Sequence, residues 1–290
     1  MKIIVSGSLG NISKPLAQQL IAQGHSVHII TTDSGKSQAI SDLGATAAIG
    51  SVTDAAFLTG LFAGADAVYA MVPPNFAAPD PILYYEQVGQ SYQEAIGASG
   101  INRVVLLSSW GAHLAAGTGI IVGSHRIEEM FDQLVGVDLT YLRPASFYTN
   151  LYYYVEMIKN SGLIATNYRG ADKVVWVSPL DIAEAATEEL VRQSTDQIRY
   201  VASDERTCTE VAAVLGAAIG KPDLQWLSFP DEQVKATMEQ YGVAPLTAGL
   251  LVELNAAIRT GLMREDYDMH PPVMGKVRIE EFAQEFALAF

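Results

Sequence analysis

The chain has 290 residues, of which 49% are hydrophobic and 17% charged, so it can bury a sizeable core and is not globally disordered. Its formal net charge is −14, and such a surface repels phosphate backbones, which argues against direct nucleic-acid binding. Cys208 is the only cysteine, which excludes an internal disulfide and metal binding by paired cysteines.

The first residues, MKIIVSGS, lead directly into a strand pattern, without a charged segment followed by a long apolar stretch. No apolar run approaches the roughly 20 residues that a membrane-spanning helix requires. No two histidines have zinc spacing together with a third ligand. We therefore expect a cytoplasmic protein that needs neither a membrane nor a bound metal.

Short apolar runs alternate with helical patterns through the first half of the chain. The predicted strands are 2–7, 26–31, 45–50, 66–72, 103–109 and 138–143, and the predicted helices are 13–24, 36–44, 54–64, 84–100 and 125–136. Strands that are apolar throughout are typical of a parallel sheet covered on both faces. The sequence therefore predicts an α/β fold with a doubly wound parallel sheet of the Rossmann type.

The regular alternation loosens after Pro144. Residues 147–162 resemble a loop entering a helix, 172–191 a strand followed by a helix capped near Ser178 or Asp181, and 197–203 another strand. Most of the remainder is helical and ends in an amphipathic helix over 278–290. We expect a dinucleotide-binding domain over 1–150. Residues 151–290 are expected to form a small, mainly helical substrate lobe, interleaved with segments that return to the sheet.

The first predicted strand and helix are joined by a glycine turn within VSGSLGNISKPLAQQL, residues 5–20. A phosphate loop requires glycine where a Cβ would keep oxygen from the backbone N–H groups. Gly7 and Gly10 supply these positions, whereas Ser13 replaces a third glycine that only allows close helix packing. Glycine pairs also occur by chance in such turns, but the position after the first strand favours a dinucleotide site. The predicted contacts are Gly7, Ser8, Leu9, Gly10, Asn11 and Ile12.

The second strand ends in IITTDSGK, residues 29–36, where dinucleotide-binding folds contact the adenosine ribose. An acidic residue there bonds the ribose 2′-hydroxyl, whereas a cation accepts a 2′-phosphate. Asp33 suits the first role, or serves only in the turn. Thr31, Thr32, Ser34 and Lys36 together suit a phosphate. The sequence leaves open whether the cofactor is NAD or NADP.

Several segments together resemble the NmrA-like branch of atypical short-chain dehydrogenases. VSGSLGNIS stands where that family has Thr-Gly-Ala-Thr-Gly-x-Ile-Gly, and ASGINRVVLLSSWGA, SHRIEEMF and TYLRPASFYTNL are similar to its fifth strand, its (Lys/His)-x-x-x-Glu helix and its Arg-Pro turn. The resemblance covers about residues 1–190 and implies an NAD(P)-binding Rossmann domain. The further candidate cofactor contacts are Gly50, Ser51, Val72, Pro73, Ser108, Ser109, His125 and Pro144.

The resemblance ends at the catalytic pair of the superfamily, Tyr-x-x-x-Lys. Aligned through Glu129, the lysine position is His125 and the tyrosine position is Ile121, and a one-residue shift gives Arg126 and Val122. Neither alignment provides a phenol, so we expect no proton transfer by a tyrosine. The resemblance implies two kinds of protein without this pair: reductases of quinones or dyes, and redox-sensing regulators that catalyse nothing.

Aromatic residues and two histidines provide the remaining candidates. Residues 147–155, FYTNLYYYV, contain one Phe and four Tyr, which suit the wall of an aromatic pocket or else a core or interface. The candidate substrate contacts are Trp110, Phe147, Tyr148, Asn150 and Tyr153. His125, four residues before Glu129, and His113, in a glycine-rich loop, are the candidate catalytic residues, or else surface side chains.

The predicted function is an NAD(P)H-dependent reductase of a small quinone-like or other conjugated aromatic substrate, acting by hydride transfer. The alternative is a non-catalytic NAD(P)-sensing regulator that binds a protein partner. Either function is compatible with a homodimer.

Overall fold

The computed structural model of the chain describes residues 1–75, 77–192 and 197–290. Its strands are β1 (Lys2–Val5), β2 (Ser26–Thr31), β3 (Thr46–Ile49), β4 (Ala67–Ala70), β5 (Arg103–Leu107), β6 (Asp138–Pro144), β7 (Ser146–Phe147), β8 (Leu163–Thr166), β9 (Lys173–Val177), β10 (Ile198–Val201), β11 (Asp204–Thr207) and β12 (Gln225–Ser228). Its helices are α1 (Ser13–Ala22), α2 (Ser37–Asp42), α3 (Ala55–Phe62), α4 (Pro81–Ser99), α5 (Val122–Phe131), α6 (Val155–Ser161), α7 (Pro179–Val191), α8 (Cys208–Ala218), α9 (Asp231–Gln240), α10 (Pro245–Thr260), α11 (Glu265–Met269) and α12 (Ile279–Ala287).

Seven strands form one parallel sheet in the order β10–β6–β5–β4–β1–β2–β3. From β1 the chain first extends the sheet through β2 and β3, and then crosses to β4 on the other side. The direction of winding therefore reverses between β1 and β4, which is where open α/β sheets bind ligands beyond the carboxyl ends of their strands. This order confirms the predicted doubly wound sheet.

The composition of β1 shows why the sheet is covered on both faces. Ile3 and Val5 are fully buried in the cluster that includes Leu16 of α1, whereas Ile4 is fully buried in the opposite cluster with Phe62 of α3. Alternate side chains of a strand point to opposite faces, so a strand apolar at every position requires helices on both sides. Each buried isoleucine stabilises the fold by about 2 kcal/mol.

The helix boundaries agree with the sequence at some ends and differ at others. Helix α7 is capped by Ser178, whose hydroxyl accepts a hydrogen bond from the Leu180 N–H at 3.2 Å, and Pro179 opens the helix as predicted. Helix α5 begins at Val122, three residues before the predicted start, because a 3-10 turn over Gly119–Ile121 leads into it. Among the described residues, no helix combines the length and apolar character needed to cross a membrane.

The second half of the chain is divided between the sheet and a smaller C-terminal lobe. Helix α7 packs on α1, and β10 pairs with β6, so the chain returns to the sheet after the boundary expected at residue 150. The lobe contains a three-stranded sheet, β11–β9–β7, and a two-stranded sheet, β12–β8, beside helices such as α8 and α12. The sequence does not predict β7, β8, β11 or β12, because each has only two to four residues and pairs with a strand distant in sequence.

A buried carboxylate on α7 binds an arginine of the edge strand β10 and so holds this strand against the helix. The Glu189 side chain has no exposed surface, and its carboxylate lies 3.2 Å from Arg103 Nη2 and 2.9 Å from Arg199 Nη1, with Arg192 also bound. Burial raises the pKa of Glu189 and hydrogen bonds from Arg192 and Arg199 lower it, with a net lowering. The ionised carboxylate thus joins β5, β10 and α7.

We expect Glu189→Gln to lower the free energy of unfolding by about 3 kcal/mol, because it removes the buried negative charge that Arg103, Arg192 and Arg199 share. Glu188→Gln is the control, since the Glu188 side chain is 51% exposed and, among the described residues, forms an ion pair with Arg199 only, which makes it worth about 1 kcal/mol or less. Urea denaturation at neutral pH measures both losses, and equal losses would contradict the assignment. Because the pKa of Glu189 is lowered on folding, its contribution is present at neutral pH, and the gap between wild type and Glu189→Gln narrows in acid.

Candidate active site at the carboxyl edge of the sheet

The turn between β1 and α1 is built around Gly7. Gly7 has a φ angle of +93°, and a Cβ at this position would lie 2.5 Å from the hydroxyl oxygen of Ser13, so a larger residue does not fit. The buried Ser13 hydroxyl donates a 2.7 Å hydrogen bond to the carbonyl oxygen of Ser6, at the end of the first strand. Ser13 stands where the packing glycine is expected and joins helix and strand by a hydrogen bond. The phosphate-facing part of the loop, at Gly7 and Gly10, keeps its glycines.

The same turn presents unpaired backbone N–H groups. The Gly10 N–H donates to the Gly7 carbonyl at 3.1 Å, but the described part of the chain offers no acceptor to the N–H groups of Leu9, Asn11 and Ile12. These groups precede α1, where free amides and the helix dipole favour an anion. The loop therefore fits the pyrophosphate of a dinucleotide.

The turn after β2 is joined to this loop by side chains. The Ser8 hydroxyl donates to Thr31 Oγ1 at 3.0 Å, and the Asp33 carboxylate accepts a 2.9 Å hydrogen bond from the Gly35 N–H. Asp33 thus serves in the turn, which is one of its two expected roles. Thr32 and Lys36 are exposed beside it.

The loops after β3 and β4 complete this edge. A Cβ on Gly50 would lie 2.6 Å from the Phe57 ring, so a larger residue there would displace the ring, and the Gly50 N–H donates to the Thr31 carbonyl at 3.0 Å. The other predicted contacts here are Ser51, which hydrogen-bonds Thr53, the buried Val72 and the half-buried Pro73. Parallel strands end at one edge, so the sheet brings the predicted segments after β1, β2, β3 and β4 together.

A buried ionic network that the sequence analysis missed lies at the ends of β5, β6 and β10. Arg143, 5% exposed, binds Glu128 with Nη2–Oε2 and Nε–Oε1 distances of 2.6 and 3.1 Å, and binds Asp266 at 3.1 Å. The Tyr200 hydroxyl donates to Asp266, and the Ser108 hydroxyl donates to Glu128. The predicted cofactor contact Ser108 is therefore held by this network.

Part of this network had a signal in the sequence. Glu128 belongs to SHRIEEMF and is the buried acid of that segment, whereas the Glu129 side chain is 53% exposed. Aligning the helix through the buried acid moves the lysine position to Ser124 and the tyrosine position to Ile120. This alignment differs from the one through Glu129 and from its one-residue shift, and it too lacks a phenol. Asp266 carried no signal, because its partners are distant in sequence.

The two candidate catalytic histidines lie in different environments. His125 Nδ1 is 2.8 Å from the Ala112 carbonyl oxygen, and Nε2 is 3.5 Å from Glu129 Oε1, so both ring nitrogens face oxygen. His113 has both ring nitrogens buried, and no described residue provides either with a hydrogen-bond partner. Of the two rings, His113 is therefore the one whose nitrogens lack a hydrogen-bond partner among the described residues.

Charged groups surround His113. Burial lowers the pKa of His113, and Arg143 lowers it further, while Asp266, Glu265 and Glu128 raise it, with a net lowering. The imidazole is therefore mainly neutral at pH 7, and its protonation depends on the balance of these neighbouring charges.

The aromatic candidates divide between the core and the surface. Tyr148 is fully buried, stacks on Phe282 at 5.3 Å and donates to the Val277 carbonyl, so it belongs to the core of the lobe. Trp110, 4% exposed, packs edge-to-face on Tyr267 at 6.2 Å. The expected pocket wall does not fit these two residues, because their ring surfaces are already covered by protein.

The remaining candidates lie nearer to solvent or to the sheet edge. Phe147 is half-buried beside the sheet, Asn150 is exposed, and Tyr153 is 69% exposed. Ser109 is half-buried after β5, and the buried Pro144 accepts a 3.1 Å hydrogen bond from the Trp110 N–H through its carbonyl. Phe147 is thus the aromatic candidate with free surface next to the carboxyl edge.

The sequence is similar over its whole length to an NAD(P)H azoreductase from Xenophilus azovorans, with 26% identity over 293 residues and 99% of each chain covered. Two solved structures share the fold. The Citrobacter sp. triphenylmethane reductase has a TM-score of 0.80 at 19% identity, with all of both chains covered. An NADPH-dependent quinone oxidoreductase from Escherichia coli, complexed with NADPH, has a TM-score of 0.82 at 18% identity, with 98% of this chain and 99% of the other covered. At these identities the structural likeness shows the fold alone.

The family comparison bears on the cofactor. Residues 7–151, half of the chain, match the model of a family described as NAD(P)H-binding, and the match begins at the glycine that shapes the loop after β1. The predicted cofactor class, NAD or NADP without a choice between them, is confirmed at this level. The chain belongs to the NAD(P)H-binding family.

Proposed function

We propose that the protein is an NAD(P)H-dependent reductase of quinone-like, azo or other conjugated aromatic acceptors. The observation that carries the proposal is a phosphate loop in which the N–H groups of Leu9, Asn11 and Ile12 find no acceptor among the described residues. In each of the three alignments, the tyrosine position holds an aliphatic residue instead. The full-length similarity to an azoreductase supports the same class of acceptor.

The missing phenol limits which acceptors the protein reduces. The dihydronicotinamide of a bound cofactor supplies a hydride. A quinone that accepts hydride becomes a phenolate-type anion whose charge is spread over the ring and which is weakly basic, so a late proton is sufficient. A simple ketone forms a much more basic alkoxide and needs a positioned acid. Placing the acceptor ring is therefore the main task of the protein.

The proton is best supplied by His113 or by water. His113 lies in the loop after β5, and its ring nitrogens have no partner among the described residues, whereas His125 faces Ala112 and Glu129. We assign the orientation of polar atoms to Ser109 and Asn150, and the aromatic contact to Phe147, with Tyr153 at the outer side. These roles follow from exposure and from position at the carboxyl edge.

The phosphate loop is tested by Gly7→Ala. We expect this substitution to raise the Kd of NADH and NADPH at least about tenfold, because the φ angle is left-handed and the new Cβ meets Ser13. Ser13→Ala is the matched control. It removes the hydrogen bond to Ser6 and costs about 1 kcal/mol of stability, but leaves Kd within about threefold. Calorimetric titration gives both constants, and binding equal to wild type in Gly7→Ala would refute the assignment of the loop.

The reaction class is tested with a panel of acceptors. We expect steady NADH or NADPH oxidation with naphthoquinones and azo dyes. With cyclohexanone, the rate should be at least about 100-fold lower. Ile120→Tyr and Ile121→Tyr should change the quinone rate less than about threefold, since no acid is needed there. Cofactor binding without turnover of any conjugated acceptor would support the regulatory alternative instead.

The aromatic contact is tested by Phe147→Ala. We expect KM for a naphthoquinone to rise about fivefold or more through lost ring contact, with the Kd of the cofactor unchanged. Tyr153→Ala should act in the same direction but more weakly. Tyr241→Ala is the control, because Tyr241 is 82% exposed at the end of α9. An unchanged KM in Phe147→Ala would exclude this residue from the acceptor site.

A further inference from the structure

We infer that Asp266 is a positioning residue, which anchors part of the C-terminal lobe over the active-site loop, residues 108–118 after β5, and sets the electrostatic environment of His113. The inference rests on the proposed function in one respect, since it assumes that His113 supplies the proton for reduction. It also assigns a role to a residue of the lobe, 123 positions after the arginine that it binds.

The first support is the bonding of Asp266. Its carboxylate accepts from Arg143 Nη1 at 3.1 Å and from the Tyr200 hydroxyl, while the rest of the Arg143 guanidinium is held by Glu128. The Asp266 side chain is only 19% exposed. Burial raises the pKa of Asp266 and the Tyr200 hydrogen bond and the Arg143 charge lower it, with a net lowering. Asp266 is therefore ionised at neutral pH and bound to the sheet edge.

The second support is the packing of the segment that carries Asp266. We call residues 262–269 the cover segment; it consists of a 3-10 turn and α11. A Cβ on Gly111 would lie 2.6 Å from Met263 Sδ, and one on Gly117 would lie 3.3 Å from Leu262, so the active-site loop touches the cover segment at two points. The edge-to-face contact of Trp110 with Tyr267 is a third. The cover segment therefore lies directly on the loop that carries His113.

The third support is the set of charges that face His113. These are Asp266 and Glu265 on α11, Arg143 on β6 and Glu128 on α5. Asp266 attracts a proton to His113 and also neutralises Arg143, which repels one. Removing the Asp266 charge therefore disfavours protonated His113 in two ways that act in the same direction.

The consequence for the reaction is a larger fraction of protonated His113 at a given pH. The hydride reduces the acceptor, and the imidazolium N–H bond breaks as an O–H or N–H bond forms on the acceptor heteroatom. The neutral imidazole then takes a proton from water. By favouring the imidazolium, Asp266 keeps this step available at a higher pH than His113 alone would allow.

The test compares Asp266→Asn, Asp266→Glu and Asp268→Asn in the full-length protein. Asp268 is the matched control, because it lies on the same helix, is 53% exposed and pairs with Arg264. Two quantities are measured for each variant: the pKa of His113 by NMR titration, assigned by the loss of its signal in His113→Gln, and the pH profile of kcat with a naphthoquinone. His270, whose ring lies 3.5 Å from Asp266, is followed by its own signal.

We expect Asp266→Asn to lower the pKa of His113 by about one unit, and to move the decline of kcat toward lower pH by the same amount. Asp266→Glu should restore most of both shifts, and Asp268→Asn should change neither. Adding Asp266→Asn to His113→Gln should cause no further shift of the kcat profile. The Kd of the cofactor and a native thermal transition are the checks that each variant is folded.

The inference is overturned if the pKa of His113 in folded Asp266→Asn equals that of wild type, or if Asp268→Asn shifts it as much. Wild-type protein that binds the cofactor but reduces no conjugated acceptor would instead overturn the proposed function. The NMR titration would still decide whether Asp266 acts on His113. The two failures are therefore separable.

Discussion

The burial of the Arg143 guanidinium is the constraint on which the arrangement of this edge depends. A cation removed from water must be compensated by well-placed acceptors, and one missing partner costs several kcal/mol. Arg143 finds its acceptors on α5 and α11, and a hydroxyl from β10. Burial lowers the pKa of Arg143 while Glu128 and Tyr200 raise it, with a net rise, so the side chain stays charged. These elements must therefore meet at the end of β6.

The parts of the molecule that were predictable from sequence are those determined by local pattern. The apolar strands, their alternation with helices and the glycine turn after β1 depend on residues close together in the chain, and the structure has them in place. Boundaries were less certain, as the early start of α5 shows, because a 3-10 turn with no sequence signal precedes it. The short strands of the lobe need partners about 30 to 60 residues away, which no local pattern reveals.

The aromatic run at 147–155 shows why composition alone could not choose between a pocket wall and a core for these side chains. Tyrosines in a core are unfavourable only if their hydroxyls lack partners. Here the Tyr148 hydroxyl reaches the Val277 carbonyl, that of Tyr152 reaches Glu285, and that of Tyr154 lies 3.4 Å from the hydroxyl of Tyr168. The partners come from α12, the segment before it and the turn after β8. The lobe thus provides hydrogen-bond partners for the tyrosine hydroxyls, whose apparent lack of partners was the reason to expect a pocket.

The same reasoning explains how this chain carries the glutamate of the family helix without the tyrosine and lysine that precede it in the related dehydrogenases. In those enzymes, as the resemblance implies, the pair acts on the reacting oxygen. Glu128 has a different task, since it compensates a buried guanidinium and accepts a hydrogen bond from the Ser108 hydroxyl. The need to compensate the Arg143 guanidinium arises from the way β5, β6 and α5 pack, and it is the same whichever group donates the proton. The framework of this edge is therefore held by Ser108, Glu128 and Arg143, and its packing does not depend on a tyrosine or a lysine in α5.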